Sequence, residues 1–316
     1  MNIVFMGTMD FAVPILEGLI QRYGVRLVVT QPDRPVGRRQ TLAASPVKKT
    51  AMRHGIPVFQ PERIRKDHAP ILSLSPDLVV VAAYGQMIPD DVLFGPRFKS
   101  INVHASLLPK YRGGAPMHRA ISAGDAETGV SVMLMATRMD AGPILAQQAI
   151  PILDTDDVGT IEAKLGIIGR DLLLATLPDV FAGTIHAVPQ DESLVTFAPN
   201  VKPEEERIDF NGTMKAVFDH VRAYRPWPTT HAVLDGNKIL FHAVRMVPCG
   251  PADYPSARNG EIVRTTKASV YIKVADGLVE PLLIQPAGRN AMETKAFMNG
   301  AGRTLFVPGK IFNILP

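Results

Sequence analysis

Leu78-Val79-Val80-Val81-Ala82-Ala83 is the stretch that decides the fold. Six successive apolar residues leave no polar face for water, as expected of a strand in a parallel sheet covered by helices on both sides. Around it, Asn2 to Met6, Arg26 to Thr30 and Ser100 to His104 read as companion strands, with helical segments at Phe11 to Gln21, Pro46 to His54 and Arg63 to Leu74. This alternation predicts a doubly wound α/β sheet. After Asp125, the runs Gly129 to Ala136 and Ile144 to Ile150 flank Arg138-Met139-Asp140-Ala141-Gly142-Pro143, a hairpin-like connection with Asp140 at its tip. A helical pattern from Val158 to about Phe181 closes the first half.

The stretch Pro199 to Arg207, with two prolines and Glu204-Glu205-Glu206, has the periodicity of neither strand nor helix. The sequence therefore divides into a first domain at 1–200, a linker at 201–208 and a second domain at 209–316. Beyond a helix from Met214 to Ala223, short strands at Thr230 to Leu234, Lys238 to Met246, Ser269 to Val274 and Leu278 to Gln285 predict a small β-barrel. Residues 1–207 hold 21 Lys+Arg against 22 Asp+Glu, and residues 208–316 hold 13 against 8. The basic surplus sits in the second domain, which points to a polyanionic partner there and a small molecule in the first.

The single cysteine, Cys249, excludes an intramolecular disulfide and any multi-cysteine metal site. No basic leader precedes the first strand, and the longest strongly apolar run falls far short of the ~20 residues that span a bilayer. The expectation is a cytoplasmic protein with no membrane segment, and nothing in the chain calls for an obligate protein partner. The first strand and turn, Ile3-Val4-Phe5-Met6-Gly7-Thr8-Met9-Asp10, carry one glycine where a dinucleotide fingerprint needs three, so a nicotinamide cofactor is disfavoured. Phosphate-loop, HExxH and GxSxG patterns are absent from the sequence.

Asn102 and His104 stand two apart at the end of an apolar run, so an amide and an imidazole point to one face of a strand. The carboxyl end of such a strand is where open α/β sheets bind ligands. With Asp140 they supply a fixed hydrogen-bond donor, a group that titrates near neutrality and a carboxylate to orient it. That trio suits acyl transfer to an amine, in which negative charge gathers on the carbonyl oxygen and a proton must leave the attacking nitrogen. Cys249 lies in the other domain and Ser106 has no visible base, so direct transfer between two substrates is the simpler mechanism.

Asn102-Val103-His104-Ala105-Ser106-Leu107-Leu108-Pro109, then Arg112-Gly113, then Met139-Asp140-Ala141-Gly142 resemble the folate-dependent formyltransferases. Thr30-Gln31-Pro32-Asp33-Arg34-Pro35-Val36-Gly37-Arg38, Ala83-Tyr84-Gly85, Arg222-Ala223-Tyr224-Arg225-Pro226-Trp227-Pro228 and Phe306-Val307-Pro308-Gly309 narrow the resemblance to the methionyl-tRNA branch. The resemblance implies a Rossmann-like formyltransferase domain followed by a small OB-like β-barrel. It implies transfer from 10-formyltetrahydrofolate to initiator methionyl-tRNA, releasing tetrahydrofolate without a metal. Asn102, His104 and Asp140 become the catalytic trio. Ser106, Leu107, Leu108, Pro109, Tyr84 and Gly85 fall in the donor pocket. Arg34, Arg38 and Arg39, on a long mobile loop, and Lys202 fall to the tRNA. Trp227, bracketed by prolines, is expected to pack rather than to stack on a nucleotide. A sugar-amine formyltransferase or a formyltetrahydrofolate hydrolase shares the trio, and a noncatalytic RNA-binding protein on the same scaffold is the alternative of another class.

Overall fold

The computed structural model describes residues 1–36, 41–250 and 252–312. They fall into two compact units: Met1–Pro116, Glu127–Pro151 and Thr160–Asn200 form the first, and Met117–Ala126, Ile152–Gly159 and Val201–Pro316 the second.

The first part of the chain runs β1 (Ile3–Gly7), α1 (Ala12–Arg22), β2 (Leu27–Val29), β3 (Arg34–Val36), β4 (Thr41–Ala43), α2 (Pro46–Arg53), β5 (Val58–Phe59), α3 (Ala69–Leu72), β6 (Leu78–Ala82), α4 (Asp90–Phe94), β7 (Ser100–His104), α5 (Pro116–Ser122), β8 (Glu127–Leu134), β9 (Ile144–Pro151) and α6 (Val158–Ala182). Seven of these strands form one sheet in the order β5-β2-β1-β6-β7-β8-β9, parallel from β5 to β7 and antiparallel thereafter. From β1 the chain winds outward to β2 and β5, then returns to build β6 and β7 on the other side. That reversal between β1 and β6 is the topological switch of a doubly wound fold.

All five residues of β1 and of β6 are buried, as the uninterrupted apolar runs require. On one face Val4, Met6, Val29, Val79 and Val81 pack with Ile64, Ile71, Val92 and Leu93. Each such side chain removed from water contributes about 1.5–3 kcal/mol, far more than exposed ion pairs such as Arg53–Glu17. In α1 the buried Ala12, Ile15, Leu16 and Leu19 follow the helical period. Helix α2 starts where Ser45 Oγ accepts the Lys48 amide at 3.0 Å and Pro46 takes the first helical position.

Two expectations need correction. The helix expected from Arg63 to Leu74 forms only at Ala69–Leu72, because Pro70 lacks an N–H and is tolerated only in a first turn. The segment read as a long mobile loop contains an antiparallel hairpin, with Arg34 opposite Ala43 and Pro35 opposite Leu42.

In the second unit, α7 (Met214–Ala223) precedes β10 (Thr230–Leu234), β11 (Asn237–Val247), β12 (Ile262–Thr265), β13 (Val270–Val274), β14 (Gly277–Pro286) and β15 (Met292–Glu293), followed by α8 (Thr294–Met298) and α9 (Gly302–Leu305). The strands form an antiparallel sheet ordered β10-β11-β14-β13-β12, with β15 added to β14. Asp235 and Gly236 join β10 to β11 with φ of +48° and +76°, the positive pair that a two-residue hairpin turn demands. Phe210, Phe241 and Phe312 pack edge to face or tilted in its core, with ring centroids 5.4–6.3 Å apart. Trp227 is 68% exposed.

Within this unit Arg119 on α5 makes a two-pronged hydrogen-bonded pair with Glu205. The Arg119 hydrogen bonds are the main cause that holds the Glu205 carboxyl down at about 2, against an ordinary 4.5. A depressed carboxylate stabilises the fold fully above about pH 4.5, and that contribution fades as pH falls towards 2. The pair is partly exposed, so its contribution is about 1 kcal/mol. Thermal melts at stepped pH should show Glu205→Gln losing less stability than the parent between pH 4.5 and 2; parallel curves would remove the pair from the acid response.

Candidate active site

β7 lies parallel to β6 on one side and antiparallel to β8 on the other, with Asn102 opposite Met133 and His104 opposite Ser131. Alternation along the strand turns Ile101 and Val103 to the face covered by α6. There the helix comes so close that a Cβ on Gly169 would lie 2.9 Å from Val103 Cγ1. Asn102 and His104 take the other face and are 8% and 7% exposed.

The connection from β8 to β9 begins beside Ser100, whose carbonyl accepts the Met135 amide, and folds back across that second face. It brings Asp140 onto the strand pair. Asp140 Oδ1 accepts Asn102 Nδ2–H at 3.3 Å, and Oδ2 accepts the Gly113 amide at 2.9 Å and stands 3.8 Å from His104 Nδ1. His104 Nε2 lies 3.0 Å from the Tyr111 carbonyl. A carbonyl can only accept, so Nε2 carries hydrogen and Nδ1 is the nitrogen presented to Asp140. The three residues singled out from the sequence therefore meet at one place. Asp140 itself has φ +50°, a left-handed conformation that a non-glycine residue holds only when its surroundings determine it.

Those surroundings involve residues without a periodic sequence signal. Gln190 donates to the carbonyls of Asp140 and Gly142, both at 2.8 Å, and accepts from Arg112. Only Arg112, beside the Gly113-Gly114 pair, lies in a motif that draws attention to it; Gln190 sits in the aperiodic Val188-Pro189-Gln190-Asp191-Glu192.

The expected donor-pocket residues divide by orientation. Ser106 is fully buried and its hydroxyl donates to the Lys110 carbonyl at 2.7 Å; Leu108 is also buried, and its amide donates to Ser131 Oγ at 3.0 Å. Leu107 and Pro109 are half-buried and present apolar surface. The Tyr84 ring packs into the sheet core, where burial pushes its hydroxyl up to about 12, while its carbonyl accepts Thr8 Oγ1–H and Gln31 Nε2–H. Gly85, beside it, is exposed with φ +89°.

Arg34 is exposed and 3.5 Å from Glu62. Arg38 and Arg39 lie outside the described residues. Lys202 is exposed, and its amide donates to Glu205. Among the described residues, no group of three or more His, Cys, Asp and Glu is placed to hold a metal ion, and no helix is long and apolar enough to cross a membrane.

A profile of the formyl transferase family matches residues 1–177, and one of the formyl transferase C-terminal domain matches residues 200–302. The chain belongs to this family. It is similar to the methionyl-tRNA formyltransferase of Lactiplantibacillus plantarum, with 48% identity over 99% of each chain, and to that of Streptococcus thermophilus, with 46% identity over 98% of this chain and 99% of the relative. Among solved structures, a variant of HypX from Aquifex aeolicus superposes with a TM-score of 0.67 at 17% identity, covering 96% of this chain and 48% of that one. This chain thus spans about half of HypX. The N-formyltransferase from Helicobacter canadensis, in complex with folinic acid and dTDP-3-aminofucose, gives a TM-score of 0.64 at 17% identity over 88% and 98% of the two chains. At such identities the structures establish a shared formyl transferase fold and no more.

Proposed function

We propose that this formyl transferase moves the formyl group of 10-formyltetrahydrofolate onto the α-amino group of methionyl initiator tRNA, releasing tetrahydrofolate. The observation that carries the chemistry is the convergence of an amide donor, an imidazole and a carboxylate at Asn102, His104 and Asp140. The acceptor assignment is supported by methionyl-tRNA formyltransferases 43–48% identical over nearly their whole length.

In this reading the amine attacks the formyl carbon and the carbonyl electrons move to its oxygen. Asn102 Nδ2, with one hydrogen on Asp140, has a second to donate to that oxygen. Asp140 accepts the proton from the attacking nitrogen, and the His104 ring lies beside its Oδ2, with Nδ1 3.8 Å away. When the intermediate collapses, the proton passes to the departing donor nitrogen. Partly buried Leu107 and Pro109, with the exposed backbone of Gly85, offer surfaces for the donor. The inward Ser106 and Leu108 shape that loop, and Tyr84 contributes through its backbone.

We assign residues 1–200 to donor binding and chemistry, 201–208 to the linker and 209–316, with its basic surplus and an OB-like arrangement of strands, to tRNA. Arg34, Arg38, Arg39 and Lys202 add phosphate contacts, and the protein works in the cytoplasm. The deciding assay supplies 10-formyltetrahydrofolate with methionyl initiator tRNA, uncharged tRNA or an amino-sugar nucleotide. Formylmethionyl-tRNA is the expected product; formylation of the sugar alone would overturn the acceptor.

Arg34→Ala should weaken tRNA binding several-fold and reduce the slope of log K against log salt by about 1. Donor affinity should not change. Exposed Trp227, the only tryptophan, supplies the fluorescence signal. An unchanged salt slope would remove Arg34 from the phosphate contacts.

A further inference from the structure

We infer that Gln190, held by Arg112, is a positioning residue for the reaction: it sets the orientation of the Asp140 carboxylate. This rests on the role given above to Asp140. Residues 188–198 run as a strap outside the main sheet and lace together the two loops that carry the chemistry. At one end, Val188 and Ile144 exchange two backbone hydrogen bonds of 2.8 Å, directly after the Asp140 loop. At the other, the Arg112 amide donates to the Thr196 carbonyl at 2.9 Å and the Ala198 amide donates to the Arg112 carbonyl at 2.7 Å, in the segment that follows His104.

Between these anchors every donor and acceptor of the Gln190 amide is used. Nε2–H bonds go to Asp140 O and Gly142 O, both at 2.8 Å, and Oε1 accepts Arg112 Nε–H at 3.0 Å and Nη2–H at 2.8 Å. Arg112 is 2% exposed, and its guanidinium also meets Glu192 at 2.9 Å. Glu192 in turn holds Arg138, two residues before Asp140, at 2.9 Å. The strap thus grips the Asp140 loop on both shoulders. Arg112 also precedes Gly113, whose amide holds Asp140 Oδ2. One fully satisfied amide therefore ties the backbone of Asp140 to the chain segment that receives its carboxylate. Satisfied networks of this kind fix a single geometry, whereas one missing donor leaves two carbonyls without their partner.

Gln190→Met keeps the length and removes every hydrogen bond; Gln190→Glu keeps the acceptor facing Arg112 and loses both donors. A shift of about 1 Å in a reacting group lowers turnover about 10²-fold. Both variants should lower kcat by about 10- to 100-fold with KM for donor and tRNA changed less than about threefold. In an Asp140→Asn background, Gln190→Met should produce no further loss, because the group it positions is already gone. An equal further loss there, or a kcat within twofold of the parent in the single variants, overturns the proposal. If Gln190→Met does not fold, as judged by its melting curve, the same two criteria apply to Gln190→Glu. Asp140→Asn alone tests the underlying reading: near-parent activity there removes the role of Asp140, whereas a loss there without a loss in the Gln190 variants removes only the strap.

Discussion

His104→Ala should lower kcat by roughly two to four orders of magnitude, the range for losing an acid/base or charge-stabilising contact. The imidazole is held by Nε2–H on the Tyr111 carbonyl at 3.0 Å, and its Nδ1 faces Asp140 Oδ2 at 3.8 Å. Alanine removes the ring beside Asp140 and its hydrogen bond to the Tyr111 carbonyl. The stability cost of losing that hydrogen bond, about 0.5–1.5 kcal/mol, is modest beside the change in rate. KM for donor and acceptor should change little, because Leu107, Pro109 and the tRNA contacts are untouched. Steady-state kinetics on folded protein checks this. A fall of less than about tenfold assigns His104 a structural role and leaves catalysis to Asn102 and Asp140.

That Asn102 and His104 share a face was legible in the sequence because both sit on one strand. The two-residue period alone puts Asn102 and His104 on one face, and the Gly/Pro-bearing turn around Asp140 marks a reversal. The covered parallel sheet was legible for a similar reason, since the valine run at 79–81 has no polar face. What the sequence did not disclose lies where period carries no information. The strap around Gln190 has neither strand nor helix pattern, and its bonds to Arg112 and Asp140 cross 78 and 50 positions of chain. The hairpin of β3 and β4 hides in a stretch rich in turn residues. The orientation of Ser106 and of the Tyr84 ring also escapes sequence, because a motif fixes identity and not the direction in which a side chain points.

Gly142→Ala carries the second large effect, and it arises from steric contact alone. A Cβ at this position would lie 1.9 Å from the Leu134 carbonyl oxygen and 2.9 Å from its carbonyl carbon, with Met133 Cε at 3.3 Å. Leu134 O belongs to the backbone of β8 and cannot rotate aside as a side-chain tip does, so the loop must move by more than an ångström. Overpacking of this kind costs about 1–3 kcal/mol. The larger consequence is for Asp140, two residues away, whose backbone carbonyl shares the Gln190 amide with that of Gly142. Displacing one end of that clamp displaces the carboxylate, and turnover should fall about 10²-fold or more while both KM values hold. Gly24→Ala is the control. With φ +77° and nothing within 4 Å, it suffers left-handed strain of about 1 kcal/mol but moves no catalytic loop. Comparing kcat at equal folded fraction separates the two effects. Parent-like turnover in Gly142→Ala would mean that the Asp140 loop tolerates displacement, and that its contacts with Asn102 and Gly113 re-form wherever the loop settles.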